Sequence, residues 1–401
     1  MKPLNSKYST LFLLCLGYFI DFYDLTIMGV SYSELIKEQF AIHSITQIQQ
    51  TYLLISNFQT LGIFIGALLF GVLGDKLGRA TTIKYSILIY SLATILAIFT
   101  HSLPVFIFLR MLAYMGLATE FSTSTVLILE LFPVKSASWS SALLYSFGVL
   151  GGISATLIGF YSWQIMFLIG GVAGILLFLA RGKIKESANF LKIQQTTAIE
   201  TRGSFKELLS SRIYLWGLFR YLLIILPYYA IITMMFIFPN YIIKDYSLAY
   251  ATKILLMGFF VGNIIGSLFS AYINNYFKNY KAFMQIMLGG FLILMLTFPT
   301  IREKYILIFS IGIGIVGGGY PISWAQYIAR EFPIHIRSLA SNCLFALGRG
   351  SSIVFNTFIS FWIAGSNSFK INSQITIIIV FMLALFSLLR CRNNYQIAID
   401  S

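Results

Sequence analysis

The chain has 401 residues, of which 58% are hydrophobic and only 10% are charged. Because charged residues make up about a quarter of ordinary soluble domains, this composition excludes a soluble globular protein. The net charge of +14 is typical of some nucleic-acid-binding proteins, but the basic residues lie mainly between apolar segments, so nucleic-acid binding is excluded as well.

Twelve apolar segments follow one another, each long enough to cross a bilayer as a helix. They lie near residues 9–31, 51–73, 83–100, 104–131, 139–160, 163–180, 213–241, 251–273, 282–299, 305–329, 339–363 and 373–389. One long polar stretch separates six segments from six. The sequence predicts an all-α polytopic membrane protein with an N-terminal six-helix bundle at 1–180, a cytoplasmic central loop at 181–212 and a C-terminal six-helix bundle at 213–401.

The basic residues predict the orientation of these helices. If the N-terminus is cytoplasmic, nineteen Lys and Arg residues fall in cytoplasmic segments and six on the opposite side. Cytoplasmic loops carry such an excess, so both termini are expected in the cytoplasm. The short loops indicate a bacterial inner-membrane protein. Asp21 and Asp24 inside the first segment, which also lacks a small-residue cleavage site, argue against a signal peptide.

Several kinds of chemistry have no support in the sequence. The three cysteines form no CxxC pair, the three histidines lack metal-ligand spacing, and no GxxxxGK[ST] sequence is present. We also find no catalytic cluster. We therefore expect no metal, no cofactor and no enzyme activity. The expected partners are a small-molecule substrate, protons and the lipid bilayer, and the chain is expected to act as a monomer driven by a proton gradient.

An internal repeat relates the two halves at an offset of 200 residues. The stretch "LGIFIGALLF" at 61–70 matches "VGNIIGSLFS" at 261–270, and "ELFPVKSAS" at 130–138 matches "REFPIHIRS" at 330–338. Two ungapped matches at one offset indicate a duplication. The GxxxG pairs in the first match are small residues one turn apart, which let two helices approach closely in lipid.

The stretch "GVLGDKLGR" at 71–79 gathers three charges and three glycines between the second and third segments. Its glycines permit a tight turn. Asp75 is expected just past a helix end, where it can meet the positive N-terminus of another helix and basic neighbours. The alternative is that these charges only set topology, although the basic residues would do that without Asp75.

This stretch resembles the signature that the major facilitator superfamily carries between helices two and three. Gly71, Asp75, Gly78 and Arg79 match that signature, whereas Ala80 departs from its second basic residue. The resemblance implies that these four residues form a gate cluster, which latches the two halves on the cytoplasmic side when the transport pathway faces outward.

Further motifs extend the resemblance over essentially the whole chain. "RMLAYMGLATEFSTSTVLILELFP" at 110–133 is similar to the helix-four signature of the sugar-porter and metabolite:proton-symporter branches. "WQIMFLIGG" at 163–171 and "ESANF" at 186–190 resemble the beginning and the end of helix six. "DFYDLTIMG" at 21–29 resembles the acidic first-helix motif of sugar and aromatic-acid symporters. The resemblance implies twelve helices in two pseudo-symmetric bundles that work by alternating access.

Ionisable side chains within the apolar segments mark the candidate proton site, because such groups are costly in a bilayer and need partners. Asp21 and Asp24 lie on neighbouring positions of one helix face. Desolvation and a nearby cation act in opposite directions on the pKa of a buried carboxylate, so such a group can bind and release a proton. The resemblance implies that Asp24 carries the proton and Arg110 is its partner. Two alternatives stay open: Asp21 is the carrier, or the pair is a static link between helices.

Other polar and charged residues on the central segments are candidates for a solute cavity. They are Glu120, Arg220, Tyr228, Tyr229, Asn263, Trp324, Gln326, Asn342 and Arg349. Glu120 can instead make a structural hydrogen bond on the packing face of helix four, and the tyrosines can serve in packing or as interface anchors.

The motifs favour proton-coupled uptake of a small polar solute such as an organic acid, osmolyte, amino acid or sugar. An organic anion is favoured because arginines are available. In "FGVLGG" at 147–152, Gly148 replaces the proline that drug exporters of the superfamily carry in helix five. One alternative is proton-driven efflux of a drug or siderophore-like compound. A second alternative is a non-transporting receptor that reuses the fold.

Overall fold

The computed structural model of the chain describes residues 6–158, 162–184, 186–199, 201–237, 248–277, 279–297, 305–362 and 369–391. Within these ranges the chain is helical and forms no β-strand. The α-helices are α1 Ser6–Phe40, α2 Ile45–Leu77, α3 Arg79–Ile98, α4 Leu103–Leu117, α5 Glu120–Leu131, α6 Val134–Ile158, α7 Trp163–Ala180, α8 Ala188–Thr196, α9 Phe205–Ser210, α10 Arg212–Ile237, α11 Leu248–Phe277, α12 Tyr280–Thr297, α13 Ile306–Glu331, α14 Arg337–Trp362 and α15 Phe369–Leu389. A 3₁₀ turn, Arg181–Lys183, follows α7.

The helices agree with the predicted membrane segments. Among the described residues, ten segments are long and apolar enough to span a bilayer, and they coincide with the first ten predicted ones. The last predicted segment coincides with the shorter apolar stretch Gln374–Leu389, and 339–363 coincides largely with α14. The prediction of an all-α, twelve-helix membrane protein is confirmed.

The fourth predicted segment, 104–131, is a membrane span as predicted, but its helix is interrupted once. α4 ends at Leu117 and α5 begins at Glu120, with Ala118 and Thr119 in a turn between them. The Ser122 hydroxyl donates to the Thr119 carbonyl over 3.3 Å. Glu120 lies in the first turn of α5, where the helix dipole favours a carboxylate.

The stretch 71–79 is more helical than predicted. α2 continues to Leu77, so Asp75 lies in its last turn and not past its end. Only Gly78 leaves the helical conformation, with φ of +114°, and α3 begins at the next residue. A side chain at Gly78 would also overlap the carboxylate of Glu186. The helix ends at Gly78 because only glycine adopts this backbone conformation without strain.

The described chain divides into two compact units. The first comprises Met1–Pro133, Phe147–Glu207 and Phe332–Ala346, and the second comprises Val134–Ser146, Leu208–Glu331 and Leu347–Ser401. Each unit includes one short segment from the other half of the sequence: residues 332–346 belong to the first unit and residues 134–146 to the second. These two segments are equivalent under the 200-residue repeat. The predicted division into bundles at 1–180 and 213–401, separated by a loop at 181–212, stays a prediction.

The same glycine contacts occur in both units at an offset of 200 residues. In each unit, two glycines one turn apart have no room for a side chain, because the backbone of a neighbouring helix approaches them closely. The contacts are Gly62 on Met111 and Gly66 on Met115 in the first unit, and Gly262 on Ile311 and Gly266 on Ile315 in the second. The repeat in the sequence is therefore also a repeat in helix packing.

Candidate functional site

Asp24 and Arg110 lie together in the interior of the first unit. Asp24 Oδ1 is 3.4 Å from Arg110 Nη1, and both side chains are at most 1% exposed. Thr94 Oγ1 lies 3.3 and 3.2 Å from the two carboxylate oxygens and accepts a hydrogen bond from Arg110 Nη1 over 3.3 Å. The guanidinium also lies over the rings of Tyr114 and Phe167. Because charged hydrogen bonds are usually about 2.7–2.9 Å long, this buried pair is loosely held.

Glu120 and Arg181 form a second buried ion pair in the same unit. Both carboxylate oxygens contact the guanidinium, with 2.9 Å between Oε2 and Nη1. Arg181 also donates to the carbonyls of Ile83 and Leu13 over 3.0 and 3.2 Å. Burial lowers the pKa of Arg181, but the charge and hydrogen bonds of Glu120, together with the charges of Tyr90 and Asp21, outweigh it and the pKa is raised. The sequence analysis missed this partner because it placed Arg181 in the polar loop.

Asp21 is fully buried between these two pairs along α1, one turn before Asp24. Its negative charge acts on Arg181. The structure thus brings four of the predicted residues, Asp21, Asp24, Arg110 and Glu120, into one unit.

The gate-cluster residue Asp75 caps the beginning of α14. Its Oδ1 and Oδ2 accept hydrogen bonds from the backbone N–H groups of Ser338 and Leu339 over 3.0 and 2.8 Å. These donors belong to the first turn of the helix, where N–H groups lack partners within the helix. Gly71 supports this contact, because a Cβ on it would lie 3.0 Å from the Leu339 Cα. The expected meeting of Asp75 with a helix N-terminus is present, and its role as a gate stays a prediction.

Arg79 connects Asp75 to a second acid. Its Nη2 lies 3.2 Å from Asp75 Oδ1 and 3.4 Å from Glu130 Oε1, and it donates to the Ile334 carbonyl over 2.6 Å. The guanidinium lies 4.7 Å from the centre of the Phe190 ring. Arg79 is fully buried, so its charge depends on these two carboxylates for compensation.

Two residues of the "ESANF" stretch complete this cluster, although the sequence analysis assigned them no role. Glu186 Oε1 accepts hydrogen bonds from the N–H and the hydroxyl of Thr81 over 2.9 and 3.2 Å, next to Gly78. Ser187 donates to Glu130 Oε2 over 2.5 Å and caps α8 by accepting from the Phe190 N–H over 3.1 Å. The motif itself was the available signal, since it supplies an acid and a capping serine before a helix.

In the second unit, several of the cavity candidates lie together. Tyr145 donates to Asn263 Oδ1 over 3.0 Å, and its hydroxyl lies 3.2 Å from that of Tyr228. Arg349 is close enough to act electrostatically on Tyr228 and Tyr229. Guanidinium and phenol groups therefore gather in one place in this unit.

The remaining cavity candidates, Trp324, Gln326, Arg220 and Asn342, make hydrogen bonds to other residues of the protein. Trp324 Nε1 donates to the Tyr221 carbonyl over 2.9 Å, and Gln326 Oε1 accepts from Ser138 over 3.2 Å. Arg220 donates to the Arg390 carbonyl over 3.3 Å.

Asn342 belongs to the first unit. Its amide contacts Ser122, and it donates to Thr123 Oγ1 and to the Ser338 carbonyl over 3.1 and 2.9 Å. A solute would have to displace these contacts to reach the amide.

Comparison with known proteins agrees with this architecture. Residues 14–340 match the family model described as the Major Facilitator Superfamily. The chain is 27% identical over 375 residues to the benzoate transport protein of Acinetobacter baylyi, covering 83% of this chain and 78% of that protein. It is 26% identical over 396 residues to the gentisate transporter of Corynebacterium glutamicum, covering 94% and 86%.

A solved structure has the same fold. The proton:xylose symporter XylE bound to 6-bromo-6-deoxy-D-glucose superimposes with a TM-score of 0.75 at 16% identity, covering 96% of this chain and 94% of that one.

The twelve-helix fold and its relatives define a multi-pass membrane transporter and not an enzyme. The chain belongs to the Major Facilitator Superfamily. The predictions of family, fold and transport are thereby confirmed.

Proposed function

We propose that this chain takes up a small aromatic carboxylate together with protons, by alternating access across the bacterial inner membrane. The single observation that carries the proposal is the loose, buried contact of Asp24 with Arg110 beside Thr94. A carboxylate and a guanidinium removed from water are each stable only while the other compensates its charge.

This dependence couples the proton to an anionic solute. When Asp24 binds a proton, its negative charge is lost and Arg110 is left as an uncompensated cation in a desolvated place. A carboxylate solute can then restore neutrality at Arg110 through paired hydrogen bonds. Loss of the proton returns Asp24 to Arg110 and displaces the solute. Proton and anion therefore bind together and leave together, which is symport.

Two observations support an aromatic carboxylate as the solute. The relatives named above are transporters of benzoate and of gentisate, both aromatic carboxylates. In the second unit, Arg349 lies beside Tyr228 and Tyr229, and a guanidinium next to aromatic rings suits a flat, anionic, aromatic molecule. Arg349 and these tyrosines are therefore candidates for contacting an aromatic anion within the second unit.

The gate cluster has a proposed role at the cytoplasmic end. Asp75 and Arg79 hold the beginning of α14 against α2 and Glu130. Breaking these bonds would release α14 and open the pathway to the cytoplasm. This role assumes cytoplasmic termini, as the distribution of basic residues predicts.

The experiment is a solute panel in proteoliposomes with an imposed pH gradient, acidic outside. Benzoate and gentisate test the aromatic carboxylates, and xylose and glycine betaine represent the sugars and osmolytes. Accumulation of benzoate or gentisate that collapses with the gradient is the expected result. Accumulation of only a neutral or zwitterionic solute contradicts the proposed class, and expulsion of a loaded solute contradicts the proposed direction.

A further inference from the structure

A groove lies on the surface of the second unit, beside the first half of α10. Its volume of about 450 Å³ falls within the range of small-ligand pockets. The described residues that line it are all apolar, and they include Leu209 of α9, Leu347 of α14, and Leu215, Trp216, Phe219 and Leu222 of α10. The groove therefore suits an apolar chain and not a water-soluble molecule.

The groove opens toward the bilayer. Residues Arg212–Ala230 of α10 form one of the candidate membrane spans. Within this span Leu215, Trp216 and Phe219 are about half exposed, at 48%, 54% and 54%. Exposed apolar side chains at the beginning of a membrane span meet lipid, and Trp is typical of the boundary between hydrocarbon and headgroups. The groove therefore lies where the headgroup of a phospholipid joins its acyl chains.

Two arginines adjoin the groove on α10. Arg212, Trp216 and Arg220 follow one another at spacings of four residues, so they share one face of the helix. Leu215 and Phe219 come three residues after Arg212 and Trp216, which places the groove beside this face. Arg212 is exposed and Arg220 is half-buried. Two positive charges thus stand at the headgroup end of an apolar groove.

Acidic side chains leave these two charges uncompensated within the described part of the chain. The ion pairs formed by its residues involve neither arginine. α10 and α15 contain no Asp or Glu, and Glu331 of α13 accepts a hydrogen bond from Tyr221 over 2.7 Å. Arg220 donates to the backbone carbonyl of Arg390 over 3.3 Å, which is a neutral acceptor. Since arginine stays protonated, both residues remain available to an anion.

The repeat shows that the fold does not require these arginines. At the offset of 200 residues, α10 is equivalent to α1, and the positions of Arg212 and Arg220 correspond to Phe12 and Ile20. The excess of basic residues on the cytoplasmic side accounts for an arginine at the beginning of a span, but not for Arg220 two turns further along it. The pair of arginines is a feature of the second unit and needs a reason other than packing.

We propose that the groove binds one anionic phospholipid of the surrounding bilayer, with its phosphate at the two arginines and one acyl chain along the groove residues of α10. Guanidinium groups bind phosphate through paired, charge-assisted hydrogen bonds. The acyl chain gains apolar contact in the groove. A zwitterionic phospholipid fits the same groove but brings no net charge, so the site prefers the anionic lipid.

The spacing of the arginines suits a single phosphate. Arg212 and Arg220 are eight residues apart, which is about 12 Å along the helix axis, and Trp216 lies midway. Long arginine side chains can extend along a helix toward the headgroup level, so both can reach a phosphate beside Trp216. The guanidinium of Arg220 has five N–H groups, so it retains donors after its bond to the Arg390 carbonyl.

Trp216 is a natural reporter of the bound lipid. Quenching of its emission by dibrominated phospholipids is measured in phosphatidylcholine vesicles, as the difference between the native chain and Trp216→Phe. Brominated phosphatidylglycerol should bind at least about tenfold more strongly than brominated phosphatidylcholine, because each basic residue near the surface contributes about a fivefold preference for anionic lipid. Equal quenching by the two lipids would overturn the proposal. Absence of quenching by either would also overturn it, since another part of the chain or a second copy would then cover the groove.

Substitutions locate the preference. Arg212→Gln and Arg220→Gln should each reduce it by about fivefold and leave the quenching by brominated phosphatidylcholine unchanged. Because Arg212 is exposed, its variant leaves the packing intact. The control Lys192→Gln removes a positive charge from an exposed residue of α8 that does not line the groove, and it should keep the native preference. An equal loss in Lys192→Gln would show that only the net charge of the chain matters, and the site would be wrong.

Native mass spectrometry in detergent separates the lipid from its headgroup. One phosphatidylglycerol should remain bound to the native chain, whereas glycerophosphoglycerol, the same headgroup without acyl chains, should not bind. Leu347→Phe fills part of the groove while both arginines remain, and it should lower the occupancy by the lipid several-fold. Equal binding of glycerophosphoglycerol and the lipid, or native occupancy in Leu347→Phe, would overturn the role of the groove. None of these measurements depends on transport.

Discussion

Asp75 and Leu339 lie 264 positions apart in the chain, yet the Leu339 N–H donates to the Asp75 carboxylate over 2.8 Å. The equivalent residue in the second repeat, Asn275, donates to the carbonyl of Lys135, at the beginning of α6. α6 and α14 are themselves equivalent by the repeat. The turn between α2 and α3 thus contacts the beginning of α14, and the equivalent turn between α11 and α12 contacts the beginning of α6. Only the contact made by Asp75 includes a charged side chain.

The charge at Asp75 predicts a change in the reactivity of a natural cysteine. Cys343 is buried on α14, one turn after Leu339. Asp75→Asn removes the charge that caps α14 and pairs with Arg79, so the beginning of α14 should loosen. We expect maleimide labelling of Cys343 to become several-fold faster, measured by mass spectrometry after digestion.

Two controls accompany this measurement. Cys15, which is buried on α1, should label at an unchanged rate. Lys76→Ala removes a neighbouring charge that makes none of these bonds and should leave Cys343 protected. Unchanged labelling of Cys343 in Asp75→Asn, or faster labelling in Lys76→Ala, would support the alternative that the charges at 71–79 only set topology.

Substitution of Gly78 by a residue with a side chain is expected to destabilise the protein. Its φ of +114° is strained for any residue with a Cβ, at a cost of about 1–2 kcal/mol, and a methyl group would also displace Glu186. Gly78→Ala should therefore lower the thermal unfolding temperature in detergent. Gly29→Ala, in α1 with no atom within 4 Å of the added methyl, should leave it unchanged or raise it slightly. Equal melting temperatures for the two variants would contradict this account of the helix break.

The Glu120–Arg181 pair predicts strong coupling between two substitutions. Glu120→Gln or Arg181→Gln alone leaves a buried charge without its partner, which typically destabilises by about 3–5 kcal/mol. The double variant removes both charges and should recover most of that loss. Thermal unfolding of the four proteins gives the interaction energy, and additive effects would show that the two side chains do not pair.

The repeat in helix packing predicts equal effects in the two units. Gly66→Ala and Gly266→Ala each push a methyl group into the backbone of a neighbouring helix, which should destabilise by about 1–3 kcal/mol. Gly289→Ala, in α12 with nothing within 4 Å, is the control and should be neutral. A large effect at one repeat glycine and none at the other would argue against equivalent packing.

The comparison of sequence and structure shows which features local patterns encode. Hydropathy predicted the membrane segments because each apolar run must exceed the bilayer thickness. The residues alone indicated that each ionisable group inside an apolar segment needs a partner, and the family resemblance then singled out Asp24 and Arg110 as a pair. The contact of Asp75 with a helix N-terminus followed from its charge at a helix end.

The features that were missed depend on contacts between distant residues. Arg181 follows a polar boundary, and nothing local indicates that its side chain turns back to Glu120, 61 positions away. The turn at 118–119 lies within an apolar segment, where the hydropathy pattern does not reveal an interruption of the helix. Glu186 becomes part of the gate cluster only because Gly78 leaves space for it.

Coupling of the proton to the solute at Asp24 is the central claim. Its most direct test is benzoate accumulation in proteoliposomes with an imposed pH gradient, comparing the native chain with Asp24→Asn and with the control Glu38→Gln, an acid near the end of the same helix that accepts from Trp163. The native chain and Glu38→Gln should concentrate benzoate, whereas Asp24→Asn should exchange it at equal pH and fail to concentrate it. Concentration of benzoate by Asp24→Asn to the native level would contradict the account.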